Sequence, residues 1–148
     1  MSFEIYTDKM GKSAQTLIRR AYEEARARID KELSPNHALI ALAETEAALF
    51  DQLMKRLGLD TAAVLQAVSE KGSQNSPQRA GMKISTAFRE LLQEGLKHAR
   101  ENGRHMIESI DILFAFFARS RSPIARVFRK LGVDQETVLR HIEDLNKQ

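Results

Sequence analysis

Gly11-Lys12-Ser13 carries the residue types that close a phosphate-binding loop, where backbone N–H groups cradle a triphosphate and the lysine reaches its outer phosphates. The spacing denies that chemistry. Such a loop needs another glycine five residues earlier, where Tyr6 stands, and a buried strand leading in, for which Ser2 to Tyr6 is too short. No apolar run ending in Asp-Glu offers a carboxylate for magnesium, so these residues do not hydrolyse ATP. The four histidines, His37, His98, His105 and His141, form no H-E-x-x-H pair. Glu94 and His98 stand at i, i+4 on one helical face, and this spacing predicts a surface hydrogen bond rather than a zinc site. His141, beside Val138, Ile142 and Leu145, reads as a boundary residue. His37, early in an apolar helix, reads as a hydrogen-bond partner of the backbone at a packed corner. There is no cysteine, no serine lies in a G-x-S-x-G turn, and Glu23-Glu24 point to adjacent sides of a helix rather than toward one another. No catalytic, cofactor-binding or metal-binding set is expected.

The 148 residues are enough for one domain, or for two small repeats sharing a core. With 43% hydrophobic and 29% charged residues, a packed interior is affordable and a disordered tail is excluded. Net charge is only +3, but it is uneven: the chain up to Lys71 carries net −1 and the remainder +4. Arg119, Arg121, Arg126, Arg129 and Lys130 crowd one stretch, which is either a solvated helix face or a phosphate-contacting patch. The residues Met1 to Met10 lack the apolar centre of a signal peptide, and the longest apolar run, Ile112 to Ala118, falls far short of the roughly 20 residues a membrane helix needs. A soluble cytoplasmic protein is expected.

The elements that must position these residues are helical, because apolar residues recur at helical spacing and alternating β-branched runs are nearly absent. Ala14, Leu17, Ile18, Ala21 and Ala25 line one face of a helix over about 12–30. Ser34-Pro35 reads as an N-cap followed by proline in the first turn, opening a short helix apolar almost all round and therefore buried. A third helix runs over about 47–57 to Gly58, and Asp60 caps a fourth. The stretch 72–83, with its run GSQNSPQRAG, reads as a linker. Beyond it the pattern restarts: a shift of 74 positions lays 13–71 over 87–145 without a gap. Arg56-Leu57-Gly58-Leu59-Asp60 then meets Lys130-Leu131-Gly132-Val133-Asp134, and Val64-Leu65 meets Val138-Leu139. In each copy glycine ends one helix with positive φ and aspartate caps the next. The prediction is an all-α domain of two tandem pseudo-symmetric four-helix repeats, about 10–71 and 84–148. In the second repeat the buried helix spans 110–117, and Gly95 allows close helix packing.

The doubled four-helix unit, its period near 75 and its Leu-Gly-Leu/Val-Asp corner resemble the Clp amino-terminal repeat domain of AAA+ unfoldases such as ClpA, ClpB and ClpC, over about 10–145. Glu23-Glu24-Ala25 matches the family's first long helix. Where the family opens each repeat with an aromatic-Thr pair, this chain has Met10-Gly11 and Ile84-Ser85. Where the family has G-T-E-H, it has Ser34-Pro35-Asn36-His37 and Glu108-Ser109-Ile110-Asp111. In some members that threonine and glutamate form phosphoarginine pockets. Gly11 with Asn36, and Ser85 with Ile110, are the positional counterparts, and an amide or isoleucine cannot grip a guanidinium as a carboxylate does.

The resemblance implies a non-catalytic module that docks adaptors or misfolded or tagged clients for a Clp ATPase ring. It would need no cofactor of its own, ATP belonging only to an attached or partner ATPase. By position, Gly11, Asn36, His37, Ser85, Ile110 and Asp111 are the candidate protein-binding residues, with a cleft expected where the repeats meet. The isolated domain is expected to be a monomer. The alternatives are a helical nucleic-acid binder using 119–130, and a stand-alone regulatory protein that kept the fold.

Overall fold

The helical spacing is realised as eight helices among the described residues of a computed structural model, which are 8–28, 30, 32–72 and 83–147. Helix α1 (Lys12–Ala27) buries the stripe Ala14, Leu17, Ile18, Ala21 and Ala25 and ends before Asp30. After β1 (Glu32–Leu33), Ser34 precedes α2 (Pro35–Thr45), which is buried on every side from Pro35 to Leu42. Proline fits there because the first-turn N–H has no helical partner to lose. Helix α3 (Ala47–Leu57) stops where Gly58 turns left-handed, φ +70°. The Asp60 carboxylate accepts from the Ala63 N–H at 3.0 Å and starts α4 (Thr61–Gly72). The rest of the expected linker, 73–82, lies outside the described residues.

The second half runs β2 (Lys83–Ile84), α5 (Thr86–Glu101), α6 (Ser109–Ala115), α7 (Pro123–Lys130) and α8 (Gln135–Asn146). Its corner repeats the first: Gly132 takes φ +90°, and Asp134 accepts from the Thr137 N–H at 2.8 Å. The helix expected over 110–117 is shorter, ending at Ala115. The Phe116 carbonyl accepts from Ser122 Oγ and the Phe117 carbonyl from Gln135 Nε2, so side chains take the place of another helical turn. Phe116 and Phe117 still enter the core, Phe117 standing edge-on to Phe128 with centroids 4.8 Å apart. At Gly95 an added Cβ would meet Ile107 Cγ2 at 3.5 Å and the Asp111 carbonyl at 3.7 Å; a methyl fits, but anything larger would push α5 off α6.

The repeats are interlocked rather than simply stacked. β1 pairs in parallel with β2, Leu33 opposite Ile84, and the Ser85 N–H donates to the Leu33 carbonyl at 3.0 Å. At the other joint Met10 bridges Ile107 in parallel, and the Gly11 N–H donates to the Ile107 carbonyl at 2.8 Å. The 74-residue shift carries one joint onto the other: Met10 onto Ile84, Gly11 onto Ser85 and Leu33 onto Ile107. Pairings two residues long leave no alternating pattern, which is why strands were invisible in the sequence. Leu33 and Ile107 are fully buried at these joints, inside one continuous apolar cluster that includes residues from all eight helices. Among the described residues no helix is long and apolar enough to cross a membrane.

Candidate functional site

The six residues singled out by position fall at the two joints and beside them. Gly11 is the N-cap of α1, and a Cβ there would overlap the Glu108 carboxyl group, which also accepts from Ser13 Oγ at 2.6 Å. Ser85 caps α5, its Oγ accepting from the Phe88 N–H. The backbone pairing is crossed: Gly11 meets Ile107 in the segment before α6, two residues from Ser109-Ile110, while Ser85 meets β1 before α2, next to Ser34-Pro35-Asn36. Ile110 is half-buried against the core. Asn36, His37 and Asp111 are buried, and each is occupied. Asn36 Nδ2 donates to the Val68 carbonyl at 3.0 Å. His37 accepts at Nδ1 from the Ser34 N–H at 3.0 Å and approaches the Asp30 carboxylate through Nε2 at 2.6 Å. Its backbone partner was legible, whereas the carboxylate was not.

Asp111 has no exposed surface and three partners: the Glu108 N–H at 2.8 Å, His98 Nδ1 at 2.6 Å and Arg104. The 74-residue shift places Arg104 on Asp30 and Asp111 on His37. Both repeats thus tie the loop before the short buried helix to that helix's third residue, but the acid has changed sides. His98 itself overturns the expectation of a surface group. Its ring is 3% exposed, stacks on Phe114 at 4.0 Å, and meets Asp111 through Nδ1 and Glu143 through Nε2 at 2.9 Å. Glu94, its expected partner, turns instead to Arg119.

A ring donating from both nitrogens is the charged form. Burial opposes that charge, but the hydrogen bonds to Asp111 and Glu143 and the charges behind them outweigh it, so His98 titrates above the ordinary imidazole value. Stability from a raised histidine is fully present below the unfolded value, about 6.5, and is lost as pH climbs through the folded value. The domain is therefore expected to weaken as pH rises beyond about 6.5, and His98→Gln to flatten that part of the profile. Denaturant unfolding at successive pH values, with NMR titration of the His98 ring protons, checks this.

A cleft of about 720 Å³ runs between α5 and the start of α7, with Pro35 of α2 at one side. Ala87, Leu91, Ala115, Phe116 and Ile124 give it an apolar lining, and Glu90, Glu94, Arg119, Arg121 and Arg126 give it charged walls. None of the six positional candidates lines it. The two repeats differ here in their connection: in the first repeat Glu46 alone separates α2 from α3, whereas 116–122 separate α6 from α7. The shift places Pro123 on Leu49, in the first turn of α3, where a missing N–H costs no helical bond, so Pro123 marks a helix start. Helix α7 begins at Pro123, capped by Ser122 Oγ on the Ala125 N–H, and the connection 116–122 reaches α5 through Arg119, which meets Glu90 and Glu94. Ser122-Pro123 is the same start signal as Ser34-Pro35 and was the clue that could have located this opening. Among the described residues no group of three or more His, Cys, Asp or Glu side chains is disposed to hold a metal ion.

Two interlocked four-helix repeats, with buried carboxylate contacts to the short inner helices and a cleft between α5 and α7, define a tandem-repeat helical domain. The chain belongs to the Clp repeat (R) N-terminal domain family, whose model matches residues 9–131 and 83–148. Domains of this family are non-catalytic accessory parts of AAA+ ATPases. No curated protein matches the sequence. Among solved structures, the Hsp104 N-terminal domain from Candida albicans is similar with a TM-score of 0.80 at 20% identity, over 93% of this chain and 91% of that one. The N-domain of ClpV from Vibrio cholerae gives 0.78 at 20% identity, over 95% and 87%. A ClpV N-domain in complex with a VipB peptide gives 0.77 at 21% identity, over 95% and 89%.

Proposed function

We propose that this domain docks adaptors, or exposed segments of misfolded or tagged proteins, for a Clp-type ATP-dependent unfoldase of the cytoplasm. The observation that carries the reading is the cleft between α5 and α7, an apolar lining inside a charged rim. Its volume lies within the roughly 300–1,000 Å³ of sites that enclose a drug-sized group, so it suits a few side chains of a segment rather than a folded surface. The ClpV N-domain that holds a VipB peptide supports the reading by analogy of fold. Weak docking is what such a role needs: held near a pore by a tether, a client gains effective concentration and is still released.

Titration of a fluorescently labelled, permanently unfolded protein into the domain tests this by anisotropy. Saturable binding that persists in high salt is expected. Ala87→Trp, placing a large ring in the cleft from a half-buried position, is expected to weaken binding about tenfold or more, the equivalent of ~1.4 kcal/mol, with the circular dichroism unchanged. Absence of binding, or binding indifferent to Ala87→Trp, would refute the assignment.

A further inference from the structure

The structure assigns a chemical preference to this cleft: we propose that it selects segments carrying acidic side chains next to apolar ones. The inference rests on the docking reading above and adds the character of the docked partner. The two walls differ in charge. On the α5 side, Glu90 and Glu94 are both held by Arg119, with Glu94 Oε1 3.0 Å from Arg119 Nη2, so one guanidinium is shared by two carboxylates and has no charge left over for an occupant. On the α7 side, Arg121 and Arg126 line the cleft, are exposed, and form no ion pair among the described residues. The positive end of the α7 dipole, at Pro123-Ile124, lies between them and adds the same sign.

An occupant whose apolar side chain packs against Ala87 and Pro123, the accessible apolar groups of the lining, brings its neighbouring residues to that cationic rim. Glu or Asp there gains charge-assisted hydrogen bonds to guanidinium; Lys or Arg meets like charge. A nucleic-acid backbone satisfies the rim but leaves the apolar lining uncovered, and Arg119, the first residue of the basic stretch, is already engaged by two carboxylates. The chemistry favours an acidic-apolar peptide.

Two synthetic peptides with identical leucine and phenylalanine positions, the intervening charges being all Glu in one and all Lys in the other, test this by anisotropy with the 148-residue chain. The Glu peptide is expected to bind about tenfold tighter at low salt, and the gap to narrow at high salt. Arg121→Glu combined with Arg126→Glu is expected to reverse the order, with the circular dichroism unchanged, since both side chains are exposed. Arg100→Glu, exposed on α5 and outside the cleft, serves as control and is expected to leave the order intact. Equal binding of both peptides would overturn the acidic preference and leave the docking reading standing. A Glu preference that survives the double substitution would overturn the assignment to Arg121 and Arg126. A single-stranded oligonucleotide that binds as tightly as the Glu peptide and is lost in the double variant would make the rim a phosphate site and overturn the inference. Failure of both peptides together with the unfolded protein would remove the docking reading itself.

Discussion

Asp111→Ala is expected to remove about 3–5 kcal/mol of folding stability at neutral pH, the usual consequence of deleting one partner from a buried ion pair. The carboxylate has no exposed surface and holds His98, Arg104 and the Glu108 N–H at once. Its removal strands a buried imidazole and a half-buried guanidinium and frees the first turn of α6. Domains of this size are stable by about 5–15 kcal/mol, so the variant should unfold at a much lower denaturant concentration. Asp111→Asn keeps the shape and one acceptor oxygen but loses the charge, and its midpoint is expected to lie between the two. His98 reports independently: with one carboxylate gone, its titration should move down toward the ordinary imidazole range. An Asp111→Ala domain as stable as the parent would show that this network contributes nothing to stability.

The second large effect is a matched pair. Leu33→Ala and Ile107→Ala are each expected to destabilise by about 2–5 kcal/mol, from lost burial and the cavity left behind. Both side chains are fully buried at the joints where the repeats cross, and the 74-residue shift superposes them. The two losses should therefore be similar. Urea unfolding of both variants measures this. A large loss in one with a negligible loss in the other would mean that the joints are not energetically equivalent.

The helix ends were legible because their causes are local. Gly58 and Gly132 announce left-handed stops, while Asp60, Asp134, Ser34 and Ser85 sit where a side-chain oxygen can precede a helix. Each of these signals needs only a few neighbouring residues. The repeat was legible for the same reason, since its strongest identities are these corner residues. What escaped notice depends on contacts between distant segments. Asp30 over Arg104 and His37 over Asp111 look like plain mismatches in the shifted alignment, yet in each repeat a carboxylate ties the loop to the third residue of the short buried helix, from opposite sides. In the sequence the nearest acid on the face of His98 is Glu94, four residues away, while its actual partners come from α6 and α8. The cleft needed one further step: Ser122-Pro123 fixes where α7 begins, but the space in front of it depends on where α6 stops, and side chains from 122 and 135 decide that.

The crossed joints have a consequence for how such a domain can be assembled. Each repeat satisfies backbone groups at the front of its sister, so neither half is a finished folding unit. A polypeptide bearing one repeat would present two unsatisfied pairing edges, and a second copy related by a twofold axis would complete both. The present chain has, within one polypeptide, the pairing geometry that a closed homodimer would have. Covalent linkage lets the two halves differ: the acid stands on opposite sides of the corresponding contact, and a one-residue connection between α2 and α3 corresponds to the longer 116–122 between α6 and α7. A strictly symmetric pair of identical subunits would have been obliged to alter both at once.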